Sequence, residues 1–104
     1  MGDNYILDGK TPVRCEDIIE WAKKFDIKTR RVASDSIGDI DVSTVFLGID
    51  HNWGGGPPLL FETMVFGGKF DQEQERYATW KQAEEGHKKM VEKVKRSNKC
   101  KKVA

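Results

Sequence analysis

Two stretches of the chain space their apolar residues as one face of an α-helix does. The first runs from Glu16 to Phe25, with acidic residues at its beginning and lysines at its end, as the helix dipole favours. Its apolar positions are Ile18, Trp21, Ala22 and Phe25. The second helix begins after Thr79, which forms with Gln82 the T-x-x-Q pattern of a capping box. This helix is expected to lose order after Arg96. Its apolar face consists of Trp80, Ala83, His87, Met90, Val91 and Val94.

Between these helices the pattern changes to the β-branched and aromatic residues typical of strands. The two most apolar runs are apolar on both faces, so each is expected to be covered on two sides. The predicted extended segments are residues 5–14, 29–34, 41–49 and 59–66, with a short piece at Arg76 and Tyr77. Turns are predicted at Asp8-Gly9, within the first segment, and at residues 35–39.

These elements predict an α+β fold with a mainly antiparallel sheet of about four or five strands and two amphipathic helices packed against it. The chain of 104 residues suffices for one domain, expected at residues 1–96 and followed by a basic, disordered tail at 97–104. Two helices would cover only one face of the sheet. The other face is therefore expected to be a ligand surface or a subunit interface, and the chain is predicted to form a homo-oligomer.

Composition is ordinary for a water-soluble domain, with 38% hydrophobic and 34% charged residues. No apolar run approaches the roughly 18 residues of a membrane helix, so no membrane association is expected. The N-terminus lacks the pattern of a signal peptide, and Cys15 and Cys100 are expected to be free thiols in a reducing cytoplasm. Residues 88–104 carry eight Lys or Arg and one acid. This basic end suits the negative pole of a helix, and nucleic acid is not expected as a partner.

The connection between the two central runs carries more chemistry than a turn requires. It consists of Asp50, His51, Asn52, Trp53, three glycines and two prolines. Gly54, Gly55 and Gly56 can adopt positive φ and bring main-chain N–H groups close to a phosphate, although they match neither G-x-G-x-x-G nor the P-loop. Trp53 either stacks on a base or folds back over the core. We predict that this loop is a recognition element.

Polar residues in otherwise apolar segments complete the candidate set. A buried carboxylate at Glu62 requires a partner, which is expected to be Arg31 or Arg76 from a neighbouring strand. The functional alternative is a hydroxyl group or base edge of a ligand. His87 is explained most simply as a core histidine satisfied by a main-chain carbonyl. Gly86 beside it indicates close approach of a neighbouring element or a ligand, or is a tolerated defect in the helix. The predicted ligand-binding residues are Arg31, His51, Asn52, Trp53, Gly54, Gly55, Gly56, Glu62, Arg76 and His87. No catalytic residue, metal site or cofactor is assigned.

The blocks VSTVFLGIDHNWGGGPPLLFETMVFGG and RYATWKQAEEGH, with YILDGKTPV near the N-terminus, resemble a widespread family of small proteins encoded by phages and prophages. The similarity covers about residues 5–94. The family offers no catalytic residues to carry over. The resemblance implies a small accessory protein acting in the host cytoplasm, where such proteins often antagonise host defence, including by binding nucleotide immune signals. The charged end after Arg96 departs from the family and is not expected to carry its shared function.

The leading hypothesis is therefore a non-enzymatic phage accessory protein that binds a small nucleotide-like ligand or a host defence protein in the bacterial cytoplasm. The glycines would donate main-chain N–H groups to phosphate, Trp53 would stack, and Arg30, Arg31 or Arg76 would supply charge.

Two alternatives belong to other functional classes. One is a protein–protein interaction module that inhibits a host enzyme through the uncovered sheet face. The other is a metal-dependent hydrolase or nuclease in which His51, Glu62 and His87 hold the metal, although no local pair of metal ligands supports it.

Overall fold

A four-stranded antiparallel meander and one long helix make up most of the molecule. The computed structural model describes residues 3–23, 30–50, 52 and 56–103, with side chains as far as Ser97. The sheet order is β3-β4-β5-β6, and β1 and β2 form a separate antiparallel hairpin, which confirms the α+β class. The elements are β1 (Tyr5–Asp8), β2 (Thr11–Arg14), α1 (Ile18–Lys23), β3 (Arg31–Ile37), β4 (Ile40–Phe46), β5 (Phe61–Phe66), β6 (Gln74–Tyr77) and α2 (Trp80–Val103).

Helix α2 covers one face of the four-stranded sheet and contacts all four strands. Buried residues alternate with half-buried ones along β4 and β5, because successive side chains of a strand point to opposite faces. The buried set faces α2. It consists of Val42, Thr44 and Phe46 on β4, and Phe61, Thr63 and Val65 on β5.

The interface between α2 and the sheet is built in three layers. One apolar cluster consists of Val42, Val65, Met90, Val91 and Val94, and a second of Phe46, Leu60, Phe61 and Ala83. Between the two clusters lie Thr44 on β4, Thr63 on β5 and His87 on α2. Thr44 and Thr63 are 0% exposed, and His87 is 3% exposed. We call these three residues the polar layer. It divides the core into two apolar parts.

The N-terminal elements attach at the end of β4. Tyr5 donates its main-chain N–H to Gly48 O at 2.7 Å, and the Trp21 indole nitrogen donates to the same oxygen at 3.0 Å. Asp17 caps α1 by accepting from the main-chain N–H of Ile19 at 3.0 Å. Helix α1 has no buried residue, and Ile18 is 62% exposed, so α2 supplies the helical cover of the sheet.

Several element boundaries differ from the sequence predictions, among them the ends of β3, β4 and α2. Strand β3 continues to Ile37, so the prediction of a turn at 35–39 is wrong; the turn is Gly38-Asp39, with Gly38 at φ 61°. Pairing of Asp35 with Val42 in the ladder keeps the strand extended. Helix α2 runs to Val103, although order was expected to fade after Arg96. Lysine is a good helix former and its charge favours a helix C-terminus.

The sheet face opposite α2 has no helix packed on it among the described residues. Val45 and Met64 are half-buried there, and Phe66 is 47% exposed. The predicted homo-oligomer stays a prediction. No described helix combines the length and apolar character needed to cross a membrane.

Gly86 marks the closest approach between α2 and the sheet. A Cβ built at this position would lie 2.2 Å from the ring of Tyr77 on β6. Only a glycine leaves room for that ring, which explains a residue that otherwise weakens a helix. The expected close approach of a neighbouring element is therefore confirmed.

Replacing Gly86 with Ala should destabilise the protein. The added methyl group overpacks the Tyr77 contact, and we expect the free energy of unfolding to fall by ~1–3 kcal/mol. Helix propensity alone would raise it by ~1 kcal/mol. Urea unfolding of Gly86→Ala shows whether the free energy of unfolding falls or rises. Glu84→Ala, at an exposed position of the same helix, is the matched control. A more stable Gly86→Ala protein would contradict the packing described here.

Candidate functional site

The loop between β4 and β5 is closed by its own polar side chains. Asp50 Oδ1 accepts from the main-chain N–H of Asn52 at 2.8 Å and from that of Leu59 at 3.0 Å, which joins the two ends of the loop. The Asn52 amide donates to Pro57 O at 2.8 Å. Asn52 therefore has a structural role in the loop. His51, Trp53, Gly54 and Gly55 lie outside the described residues, so their predicted roles stay predictions.

A chain of buried hydrogen bonds crosses the interface between α2 and the sheet. His87 Nε2 lies 2.7 Å from Asp35 Oδ2, and His87 Nδ1 lies 2.6 Å from Thr44 Oγ1. Thr44 Oγ1 lies 2.5 Å from Thr63 Oγ1. The chain links the exposed Asp35 carboxylate on β3 to Thr63 on β5 through the polar layer.

For a neutral His87 ring, the chemistry of the end groups sets the direction of these bonds. The Asp35 carboxylate can only accept, so His87 Nε2 carries a proton and donates it. In the neutral imidazole, Nδ1 then accepts from the Thr44 hydroxyl, which accepts in turn from Thr63. Every hydrogen-bonding atom of the polar layer is satisfied by this one arrangement, as buried polar groups require. His87 is a core histidine, satisfied by side chains and not by the predicted main-chain carbonyl.

The order Asp35, His87, Thr44 matches the acid, base and nucleophile of a catalytic triad, but the third member is sealed in the core. Thr44 is 0% exposed, and the two apolar clusters flank it. A substrate has no access to its hydroxyl. The array therefore serves packing in this structure.

Tyr77 lies beside this chain, on the edge strand β6. Burial raises the pKa of its phenol, the nearby Thr63 hydroxyl lowers it, and the charge of Glu75 raises it. The net shift is upward, so the phenol stays protonated and available as a hydrogen-bond donor.

Glu62 and Arg76 form an ion pair on the face of the sheet away from α2. Arg76 Nε lies 2.9 Å from Glu62 Oε2, and the two residues are directly paired in the β5–β6 ladder. This confirms the predicted partnership. Arg31 faces the same side of the sheet, opposite Val45, but two strands separate it from Arg76.

The structure does not bring Glu62 and His87 together. Thr63, the neighbour of Glu62, faces His87 across the polar layer, so Glu62 points to the other face of the sheet. His51 lies outside the described residues. Among those that are described, no three His, Cys, Asp or Glu side chains are grouped to hold a metal ion.

A groove of about 700 Å³ opens between α2 and β6, within the usual range for ligand sites. Arg76 and Asn52 of the predicted set line it, whereas Tyr77, Glu75, Glu85, Gly86 and Lys89 were missed. The sequence held one signal for this groove, the glycine in the middle of a helix. Its pairing with the Tyr77 ring depends on the fold and could not be read from spacing.

The groove carries both signs of charge. Lys93 forms an ion pair with Glu73, and the charge of Arg76 is shared with Glu62. Glu75, Glu85 and Lys89 form no ion pair within the described part of the chain. Two free carboxylates and one free amine leave the groove slightly acidic.

No family model, curated protein or solved structure matches this chain. The groove and the polar layer therefore have to be interpreted from their own chemistry.

Removing His87 should expose the energetic role of the polar layer. In His87→Leu the Thr44 hydroxyl loses its acceptor, and we expect the free energy of unfolding to fall by ~1–3 kcal/mol. Adding Thr44→Val and Thr63→Val converts the layer to apolar groups of similar shape, which should restore much of the loss. Urea unfolding measures both, and exposed Lys88→Ala is the control. A triple variant no more stable than His87→Leu would refute this account.

Proposed function

We propose that this chain is a non-enzymatic binding protein that holds a host factor in the groove between α2 and β6. The observation that carries the proposal is the groove itself, an open trough of about 700 Å³ between a helix and an edge strand. Its neighbouring Asp–His–Thr array has the order of a catalytic triad, yet the Thr44 hydroxyl is closed to substrate. Binding is therefore the use that the surface supports best.

The resemblance to phage and prophage proteins supplies the context of the proposal. A host factor in an infected bacterium is the expected ligand, and interference with host defence is the expected consequence. Neither follows from the groove alone.

A nucleotide-like ligand is the second candidate. Asn52 and Arg76 line the groove, and Gly56, at φ 91°, belongs to the adjacent loop. Lys89 offers a free ammonium group for a phosphate, whereas Glu75 and Glu85 oppose an anion. The balance of charge makes this candidate weaker than a partner of mixed charge.

The experiment is an amide NMR titration with fractions of a bacterial lysate. The lysate is separated into small molecules and macromolecules, and each fraction is added to labelled protein. Shifts that cluster at β6 and at the groove-lining turns of α2 support the proposal. Shifts confined to other surfaces, or none with either fraction, would refute it. The fraction that acts distinguishes the two candidates.

A pair of adjacent glutamates on α2 provides the matched control. Glu85 lines the groove, whereas Glu84 is exposed and does not. Glu85→Lys should weaken the groove shifts, and Glu84→Lys should leave them unchanged. Equal effects would mean that overall charge, and not the groove, governs binding.

A further inference from the structure

Strand β6 forms a free edge of the sheet within the described part of the chain. It is hydrogen-bonded to β5 and has no strand on its other side. Four consecutive residues, Glu75 to Ala78, line the groove. Side chains of a strand alternate between faces, so consecutive lining residues indicate that the main-chain edge forms the wall.

The main-chain groups of Gln74 and Arg76 point away from β5. Val65 N–H donates to Glu73 O at 3.0 Å, which makes these two residues a hydrogen-bonded pair of the ladder. In an antiparallel pair the bonded positions recur at every second residue, so Glu75 and Tyr77 also turn towards β5. The intervening residues turn outwards. An edge of this kind is a template for another strand.

Helix α2 forms the opposite wall of the groove and runs alongside the edge of β6. Gln82, Gly86, Lys89 and Lys93 line the groove at intervals of one helical turn. From Gln82 to Lys93 the helix rises about 16 Å, close to the length of a five-residue strand. The trough is therefore long and straight. Its shape fits an extended main chain better than a compact ligand.

We propose that the groove binds an extended polypeptide segment of a different protein, which adds to β6 as a fifth strand of the sheet. The proposal rests on the proposed function and names the class of its host factor. The added strand pairs with the outward groups of Gln74 and Arg76 and lies against the groove-lining turns of α2. Main-chain bonds supply affinity, and side chains supply specificity.

Charge argues against a second copy of this chain as the occupant. Two β6 strands related by a twofold axis pair like residues at the axis. An axis at Glu75 sets two glutamates opposite each other, and an axis at Arg76 sets two arginines opposite each other. Like charges directly opposite are destabilising. The two registers that pair most of β6 with itself are both disfavoured.

The same charges define the segment that fits. Glu75 faces α2 and forms no ion pair among the described residues, so a basic residue should lie opposite it. Arg76 lies on the other face, where an acidic residue opposite it would extend the ion pair with Glu62. In an antiparallel strand these requirements place an acidic residue immediately before a basic one.

The probe is the capped peptide Thr-Val-Glu-Lys-Val-Thr, added to the full chain. We expect it to slow amide exchange at Gln74 and Arg76 by about tenfold or more, since each gains a hydrogen-bond partner. Its charge-exchanged form, Thr-Val-Lys-Glu-Val-Thr, should bind more weakly. Two further peptides carry one N-methyl group, either on the Glu amide, which faces β6, or on the Lys amide, which faces away. Only the first should abolish binding.

Equal binding of the two N-methylated peptides would overturn the proposal, as would binding without protection at Gln74 and Arg76. Failure of every peptide would also overturn it. The proposed function has its own test: it is refuted when neither lysate fraction shifts the amide signals of the groove. Groove shifts caused only by small molecules, with silent peptides, would refute strand addition and leave a binding groove in place. These peptides require no change in the protein, so misfolding does not confuse the result.

Discussion

The placement of α2 on the sheet depends on the polar layer. Thr44, Thr63 and His87 meet in one chain of hydrogen bonds between two apolar clusters. Apolar contacts alone tolerate small shifts of a helix along a sheet, because they have little directional preference. A shift of α2 along the sheet would separate His87 from Thr44 and leave buried hydroxyl groups without partners. Such an unsatisfied group costs ~1–3 kcal/mol, so the layer fixes one register.

The groove is a consequence of that register. With His87 held over Thr44, Gly86 comes to lie on the Tyr77 ring, and the helix passes close to β6. Tyr77 pairs with Phe61 in the β5–β6 ladder, so the edge strand is tied to the strand that carries Thr63. The wall of the groove and the core of the domain therefore share their contacts. The proposed binding surface is therefore already formed before a partner arrives, which reduces the entropic cost of binding.

Local patterns in the sequence predicted much of the fold. The capping box is present as expected, with Gln82 N–H donating to Thr79 Oγ1 at 3.1 Å, and the apolar spacing placed His87 in the core. The carboxylate of Glu62 in an otherwise apolar strand predicted an arginine partner, which is Arg76. The partners of His87 could not be predicted, because Asp35 lies 52 residues away and Thr44 lies 43 residues away in the sequence. The groove depends on such long-range contacts, so the candidate site was largely missed.

Nitrogen NMR of the His87 imidazole shows whether the polar layer holds the hydrogen bonds that fix α2 on the sheet. The neutral ring should carry its proton on Nε2, with Asp35 as acceptor, and Nδ1 should accept from Thr44. The Nε2 proton should exchange slowly with water, since the residue is 3% exposed. A ring protonated on Nδ1 in its neutral form, or one that averages rapidly between tautomers, would contradict a polar layer that fixes α2 on the sheet.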